Sequence, residues 1–429
     1  MNIFAKAYCR IFQKCFFLAS FALPWSQPKL LEGEGSLVKL PDLIKEKGID
    51  SLLIVTDAGL MGLGMVNPLI DALKEKEIKV AVYDKVVPNP TVNNIEDAVA
   101  VYNENGCKAI VAFGGGSPMD CAKGVAACIA RPDMPVAKMK GICKISGLVT
   151  SIVRSKGIKN RSNKVSIVRK FPLLFAIPTT AGTGSETTLA AIISNKETHE
   201  KYPIEDFMII PPYAVLDPTL TVKLPKHVTS TTGIDALTHA VEAYIGKSNT
   251  KDTAEKARQA TKLIFENLKV AYDEGTNMTA RSNMQKASYL AGVSFTRAYV
   301  GYVHALAHAL GGFYGTPHGL ANSILLPHVL EAFGKSAYKP LAELADVVGI
   351  TEKEDSREIK AKKFIQAIRD LNKYMDIPEK VLDREGNPVI KDEDIPTMVK
   401  RALKEANPLY PVPKLFGKRE LTALYKKVQ

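Results

Sequence analysis

At 429 residues the chain is about three times the length of an ordinary single domain, so two domains are expected, each able to bury a full core. Its 46% hydrophobic and 24% charged residues match folded globular proteins, which excludes a disordered chain and a bundle of membrane spans. The net charge of +12 invites a nucleic-acid partner, but ten Lys and Arg and no acid fall between Lys138 and Lys170, leaving only +2 elsewhere. No aromatic side chain is interleaved in that stretch to stack on bases, so nucleic acid is not an expected partner.

Near the start, Lys6, Arg10 and Lys14 precede an apolar run from Cys15 to Ala22. A signal peptide and an amphipathic first helix share this pattern. The run is short for a signal and Pro24 follows it, so a helix packed on the body is the preferred reading. No later stretch is long enough to cross a bilayer, and no membrane partner is expected. The six cysteines form no CxxC pair and read as buried free thiols of a reducing compartment, with the cytoplasm as the expected location.

The run Ser51 to Val55 reads as a buried strand that empties into a loop at Thr56-Asp57-Ala58-Gly59. A helix over 68–76, a strand over 79–83, a helix over 93–104 and a strand over 109–113 follow, then Gly114-Gly115-Gly116-Ser117-Pro118 and a helix over 119–129. Two further strands, 173–177 and 213–216, end at Pro178-Thr179-Thr180 and at Asp217-Pro218. This alternation predicts a parallel sheet covered by helices on both faces. From Val228 onward the segments are long, rich in Ala and Leu, and periodic at helical spacing. The expected division is therefore an α/β, Rossmann-like dinucleotide-binding domain over 1–224 and an all-α metal-binding domain over 225–429. Residues 145–170 are basic, carry Ser-Ile-Val-Arg twice, and read as a surface insertion.

The glycine-rich turn at 114–118 sits between a strand and a helix, where backbone N–H groups and the positive end of the helix dipole can receive a diphosphate. A tight turn without ligand is the competing reading. It is not the G-x-G-x-x-G fingerprint, but the second loop, 179–185, also follows a strand and offers hydroxyls; ligands of open α/β sheets bind beyond the carboxyl ends of strands. Asp57 is placed to accept from an adenosine ribose and to repel a 2′-phosphate, which favours NAD over NADP; a solvated loop carboxylate is the alternative.

In the helical half, Asp235 and His239 lie four residues apart on one helix face, as do His304 and His308, and His318 and His328 follow. One carboxylate with several imidazoles suits a divalent transition metal, although each histidine alone is more often a core or surface residue.

Read together, these residues resemble the iron-dependent, or group III, alcohol dehydrogenases, a family that includes lactaldehyde reductase, propanediol dehydrogenase and bacterial butanol dehydrogenases. The resemblance runs through GEGS at 33–36, PNPT at 88–91, GGGSPMDCAK at 114–123, PTTAGTGSE at 178–186, DP at 217–218, GIDALTHAVEAY at 233–244 and VHALAHALGGFYGTPHG at 303–319. It implies a dehydroquinate-synthase-like architecture with Asp235, His239, His304 and His318 as ligands to Fe2+ or Zn2+. His308 is implied as a proton relay near the nicotinamide. Dinucleotide contacts are implied at Asp57, Asn89, Gly115, Gly116, Ser117, Thr179, Thr180, Thr183, Thr188 and Lys201. The implied reaction is hydride transfer between NAD(H) and a small primary alcohol, diol or aldehyde, in a homodimer or larger homo-oligomer. A zinc-type glycerol dehydrogenase, a cyclase of related architecture and a catalytically impaired dinucleotide-binding protein are the alternatives, the last because the insertion at 145–170 departs from the family pattern.

Overall fold

The computed structural model describes residues 1–146, 171–195, 200–383 and 385–429; the repeated Ser-Ile-Val-Arg segments and nearly all of the expected insertion lie outside them. Contacts divide the chain into two units, one of Pro24–Thr180 with Gly184–Thr221, the other of Met1–Leu23 and Ala181–Thr183 with Val222–Gln429.

The first unit is built on six parallel strands among the described residues: β1 (Lys29–Glu32), β2 (Ser51–Val55), β3 (Lys79–Tyr83), β4 (Ala109–Gly114), β6 (Leu173–Pro178) and β9 (Tyr213–Leu216), in spatial order β1-β9-β6-β4-β2-β3. The central strands read as unbroken apolar runs because a parallel sheet is covered on both faces. Successive side chains then feed opposite cores. Leu53, Val55, Ile110, Ala112, Leu174 and Ala176 pack with α5 (Val92–Glu104) and α6 (Gly116–Ala130). Their neighbours Leu52, Ile54, Val111, Phe113, Phe175 and Ile177 pack on the other side with α2 (Leu40–Glu46) and α4 (Asn67–Glu75).

The register sets Val55 opposite Ala112 and Gly114 opposite Pro178. The three loops that begin at Thr56, Gly115 and Thr179 therefore leave the same edge of the sheet.

Three features of this unit differ from the sequence reading. The four-residue edge strand β1 was not foreseen, being short and half-exposed. Nor was the small sheet of β5 (Gly141–Ile142), β8 (Glu200–Glu205) and β7 (Ala190–Asn195), whose strands β5 and β8 carry mixed residues without an apolar run. The loop after β2 is a short helix, α3 (Ala58–Gly62), because Asp57 accepts from Leu60 N at 3.0 Å and caps it.

The second unit is helical among its described residues: α1 (Ile3–Ser20), α7 (Lys226–Ile245), α8 (Lys251–Asp273), α9 (Met278–Ala298), α10 (Tyr302–Tyr314), α11 (His318–Phe333), α12 (Tyr338–Val347), α13 (Arg357–Tyr374), α14 (Ile395–Ala406) and α15 (Lys418–Lys427). Helix α7 is buried almost continuously from Gly233 to Ile245 and packs against α8, α9 and α11. Residues 1–23, which the sequence reading placed with the α/β half, group here instead. The reason is polar: Gln13 Nε2 donates to the carbonyls of Pro408 (2.9 Å) and Tyr410 (2.7 Å), and Arg10 to those of Val412 (2.8 Å) and Pro413 (3.0 Å). All six cysteines are free; Cys9, Cys107, Cys121 and Cys143 are buried, whereas Cys15 is exposed on α1.

Candidate metal centre and cofactor loops

The metal-ligand candidates lie on three helices of the helical unit. Asp235 and His239 are one turn apart on α7, His304 is in the first turn of α10, and His318 opens α11. Close approach at the start of α11 depends on Gly319, where a Cβ would come within 2.6 Å of the Thr231 carbonyl oxygen. The donor atoms of Asp235, His239, His304 and His318 all lie within 4.8 Å of one another. The rings of His239 and His304 are 4.4 Å apart between centroids, and those of His304 and His318 are 5.4 Å apart. Asp235 Oδ1 lies 3.4 Å from His318 Nε2 and 3.9 Å from His304 Nε2.

The first three donors are buried, and two of their nitrogens, His304 Nε2 and His239 Nδ1, are buried without a hydrogen-bond partner among the described residues. Leaving such a group unsatisfied costs about 1–3 kcal/mol. A converging set of orphaned imidazole nitrogens and one carboxylate is what a divalent cation satisfies, so the residues present fit a metal. Burial pushes the pKa of both His239 and His304 down, and for His304 the neighbouring imidazoles push it further; neutral rings are the metal-binding form.

Around this group stand residues whose roles the sequence reading missed. Glu242 is fully buried and accepts from Gly301 N (2.7 Å), Val303 N (2.8 Å) and His304 Nδ1 (2.7 Å). Burial raises its pKa to about 7, against the pull of those donors. The signal was present: positions 235, 239 and 242 share one helical face. Asn322, one turn past His318, donates to Asp235 Oδ1 at 2.6 Å and lies 3.1 Å from His318 Nε2. His308 stands outside the donor group, its ring stacked on His318 at 5.1 Å, with Nδ1 2.7 Å from Glu405 Oε1, which also accepts from Tyr410 OH at 2.9 Å. His328 is not part of the donor group either.

In the α/β unit, Gly115 is the N-cap of α6 and offers no side-chain cap to the first N–H groups of the helix. Gly114 has φ +148, and a Cβ there would meet Pro118 Cγ at 2.6 Å, so only glycine fits the strand-to-helix turn. The structure joins Asn89, Ser117 and Lys201: Asn89 N donates to Ser117 Oγ (3.2 Å) and Lys201 Nζ to Asn89 Oδ1 (2.8 Å). Thr179 N donates to Gly114 O at 3.1 Å, and Thr180 packs 3.6 Å from where a Gly115 Cβ would stand. Thr188 is held from below by Lys123, whose fully buried ammonium donates to Thr188 Oγ1 (2.7 Å), Thr188 O (3.0 Å), Ser185 Oγ (3.0 Å) and Ala190 O (2.8 Å). Thr183 groups by its contacts with the helical unit.

A dinucleotide-type sheet followed by helices that gather one carboxylate and three imidazoles defines a metal-dependent dehydrogenase. Comparison with known proteins agrees. Residues 27–218 match the family model "Iron-containing alcohol dehydrogenase", and residues 229–429 match "Fe-containing alcohol dehydrogenase family, C-terminal". The chain is 38% identical over 397 residues to alcohol dehydrogenase 4 of Saccharomyces cerevisiae, covering 92% of this chain and 95% of the yeast protein. It is 33% identical over 388 residues to the NAD-dependent methanol dehydrogenase of Bacillus methanolicus, covering 90% and 94% of the two chains. The crystal structure of a 1,3-propanediol oxidoreductase superposes with a TM-score of 0.85 at 34% identity, covering 95% of this chain and 99% of the other. The chain belongs to the iron-containing alcohol dehydrogenase family, and it is an oxidoreductase of that family's fold and metal-dependent alcohol chemistry.

Proposed function

We propose that this enzyme interconverts small primary alcohols or diols and their aldehydes with NAD(H), holding a divalent cation on Asp235, His239, His304 and His318. The observation that carries the reading is the donor set itself, its ligand atoms within 4.8 Å of one another and with His304 Nε2 and His239 Nδ1 lacking a hydrogen-bond partner. Such a cation, when bound, supplies Lewis acidity toward the alcohol or carbonyl oxygen.

The chain's own residues supply the rest. Glu242 fixes which ring nitrogen of His304 is free by accepting the hydrogen bond from Nδ1–H, which leaves Nε2 with its lone pair. Asn322 orients Asp235 and His318 together. His308 accepts the hydroxyl proton at Nε2 during oxidation and returns it during reduction, while Glu405 at Nδ1 stabilises the charged ring. The uncapped end of α6 with Gly115, Gly116 and Ser117, and the hydroxyls of Thr179, Thr180 and Thr188, receive the dinucleotide with Asn89 and Lys201. Asp57 accepts from the adenosine ribose and disfavours NADP. Methanol and 1,3-propanediol, named for the relatives, set the size of substrate to try first. Free thiols fit a reducing, cytoplasmic setting.

The test is an NADH-formation screen over short alcohols and diols, with iron and zinc each resupplied to metal-free protein. Turnover that depends on added metal supports the reading. NAD binding by calorimetry with no NADH from any alcohol under either metal overturns it.

A further inference from the structure

Residues 407–413 read Asn-Pro-Leu-Tyr-Pro-Val-Pro, and the prolines at 408, 411 and 413 leave the segment short of N–H groups to answer its own carbonyls. Helix α1 supplies donors from outside it. Gln13 is buried and gives its Nε2 to the carbonyls of Pro408 (2.9 Å) and Tyr410 (2.7 Å), while its Oε1 accepts from Arg10 at 2.9 Å. Arg10 also donates to the carbonyls of Val412 (2.8 Å) and Pro413 (3.0 Å). Between these, Pro411 O accepts from Lys247 N at 2.6 Å. A buried carboxamide engaged at both its nitrogen and its oxygen is held in one geometry, so it fixes the loop at defined points.

The loop carries Tyr410. Its backbone is pinned on both sides, with N donating to Ala406 O (2.7 Å) and O accepting from Gln13, and its hydroxyl donates to Glu405 Oε1 at 2.9 Å. That same oxygen lies 2.7 Å from Nδ1 of His308. Glu405 stands one residue before the end of α14 with its side chain 32% exposed, so packing alone leaves it rotamer freedom. The Tyr410 hydroxyl selects the rotamer that meets His308. Hydrogen bonds weaken steeply with distance and angle, so a small shift of the loop is enough to undo that choice. All of these residues belong to the helical unit.

We propose that Gln13 of α1 is a positioning residue for the reaction, acting through Tyr410 on the Glu405–His308 pair. The line runs from the Gln13 carboxamide to the Tyr410 carbonyl, from the Tyr410 hydroxyl to Glu405, and from Glu405 to His308 Nδ1. This role rests on that of His308 in proton transfer.

The test compares Gln13→Met, Tyr410→Phe, the double variant and His308→Ala in steady-state oxidation of the best short alcohol of the NADH screen, each with its metal content measured. Tyr410→Phe is expected to lower kcat by about tenfold, the worth of one hydrogen bond to a charged group. Gln13→Met has a side chain of similar volume with nothing to donate. It is expected to lower kcat by about threefold or more, with KM for NAD and metal content unchanged. In the double variant Gln13→Met should add little to the loss from Tyr410→Phe, because both act along one line. Ile11→Ala, on the exposed side of the same helix, should leave kcat as it is. A helix that only stabilises the fold would give Gln13→Met a lower melting temperature with kcat per metal-loaded site unchanged, and that result overturns the proposal. So do losses that simply multiply in the double variant. If Gln13→Met fails to fold, Gln13→Glu takes its place, since it keeps the bond from Arg10 and loses both donated ones. Full kcat in His308→Ala would end the relay and this role with it. Loss in His308→Ala with full kcat in both Gln13→Met and Tyr410→Phe would leave the relay standing and remove Gln13 from it.

Discussion

The carboxylate of Glu242 lies 2.7 Å from Nδ1 of His304, and the same side chain holds the backbone N–H groups of Gly301 and Val303 at the entry of α10. One buried acid thus sets both the tautomer of a candidate ligand and the path of the chain that carries it. Gly301 belongs to the arrangement, for a Cβ there would fall 2.6 Å from Glu242 Oε1. Glu242→Gln is expected to lower metal affinity about 10- to 100-fold, as loss of a hydrogen-bond partner behind a ligand does. Gly301→Ala should act in the same direction by displacing that carboxylate. Metal titration of the stripped proteins, followed calorimetrically, checks both; unchanged affinity in both would remove Glu242 from the centre.

His304 and His308 share a helix face but should separate in their phenotypes. His304→Ala is expected to lose metal and activity together. His308→Ala should keep its metal and lower kcat by about 10²- to 10⁴-fold, the range for a positioned acid or base. Glu405→Gln should give a smaller loss and shift the pH profile of kcat, because the His308 ring would lack its charged partner. Metal content by mass spectrometry beside steady-state rates distinguishes the two histidines.

Asp57 both caps α3 and faces the sheet edge where the cofactor loops emerge, so the informative change is one that keeps the cap. Asparagine retains an oxygen for Leu60 N while removing the charge. Asp57→Asn is expected to raise the ratio of kcat/KM for NADP over NAD with little change in melting temperature. An unaltered ratio would show that the carboxylate serves α3 alone.

The buried group under the Thr-rich loop predicts stability against pH. Burial raises the Glu186 pKa to about 7 from an ordinary 4.5, so the folded chain holds an extra proton between those values and loses stability as pH rises through them. Burial lowers that of Lys123 to about 8 from 10.5; the folded chain then binds fewer protons between those values, and stability rises with pH there. Glu186→Gln should therefore melt higher than the parent at pH 8 by a margin that shrinks toward pH 4.5. Lys123→Met should be destabilised by about 1–3 kcal/mol or more near neutrality, because the buried oxygens of Ser185, Thr188 and Ala190 would lose their donor. Thermal unfolding across pH measures both.

Much of the α/β unit was legible because its central strands are buried on both faces. Such strands are written as short apolar runs, and Ser51–Val55, Lys79–Tyr83 and Tyr213–Leu216 carry the boundaries expected of them. The edge strand Lys29–Glu32 and the small sheet around Glu200–Glu205 escaped, since half-exposed strands carry mixed residues whose pairing depends on distant neighbours.

At the metal centre, spacing alone placed Asp235 beside His239 and His304 beside His308, because one turn of helix is a local fact. Local spacing did not say that His304 turns toward Asp235 and His239 while His308 pairs with Glu405 in a different helix. Helix packing decided that, together with the Gly319 contact and the Glu242 cradle, each of which joins residues more than fifty positions apart. The first helix shows the same division. Its charge and periodicity are in the sequence, but which side faces inward was settled when Gln13 and Arg10 met the carbonyls of 408–413. A hydrogen bond between distant segments leaves no mark in the local pattern of either one.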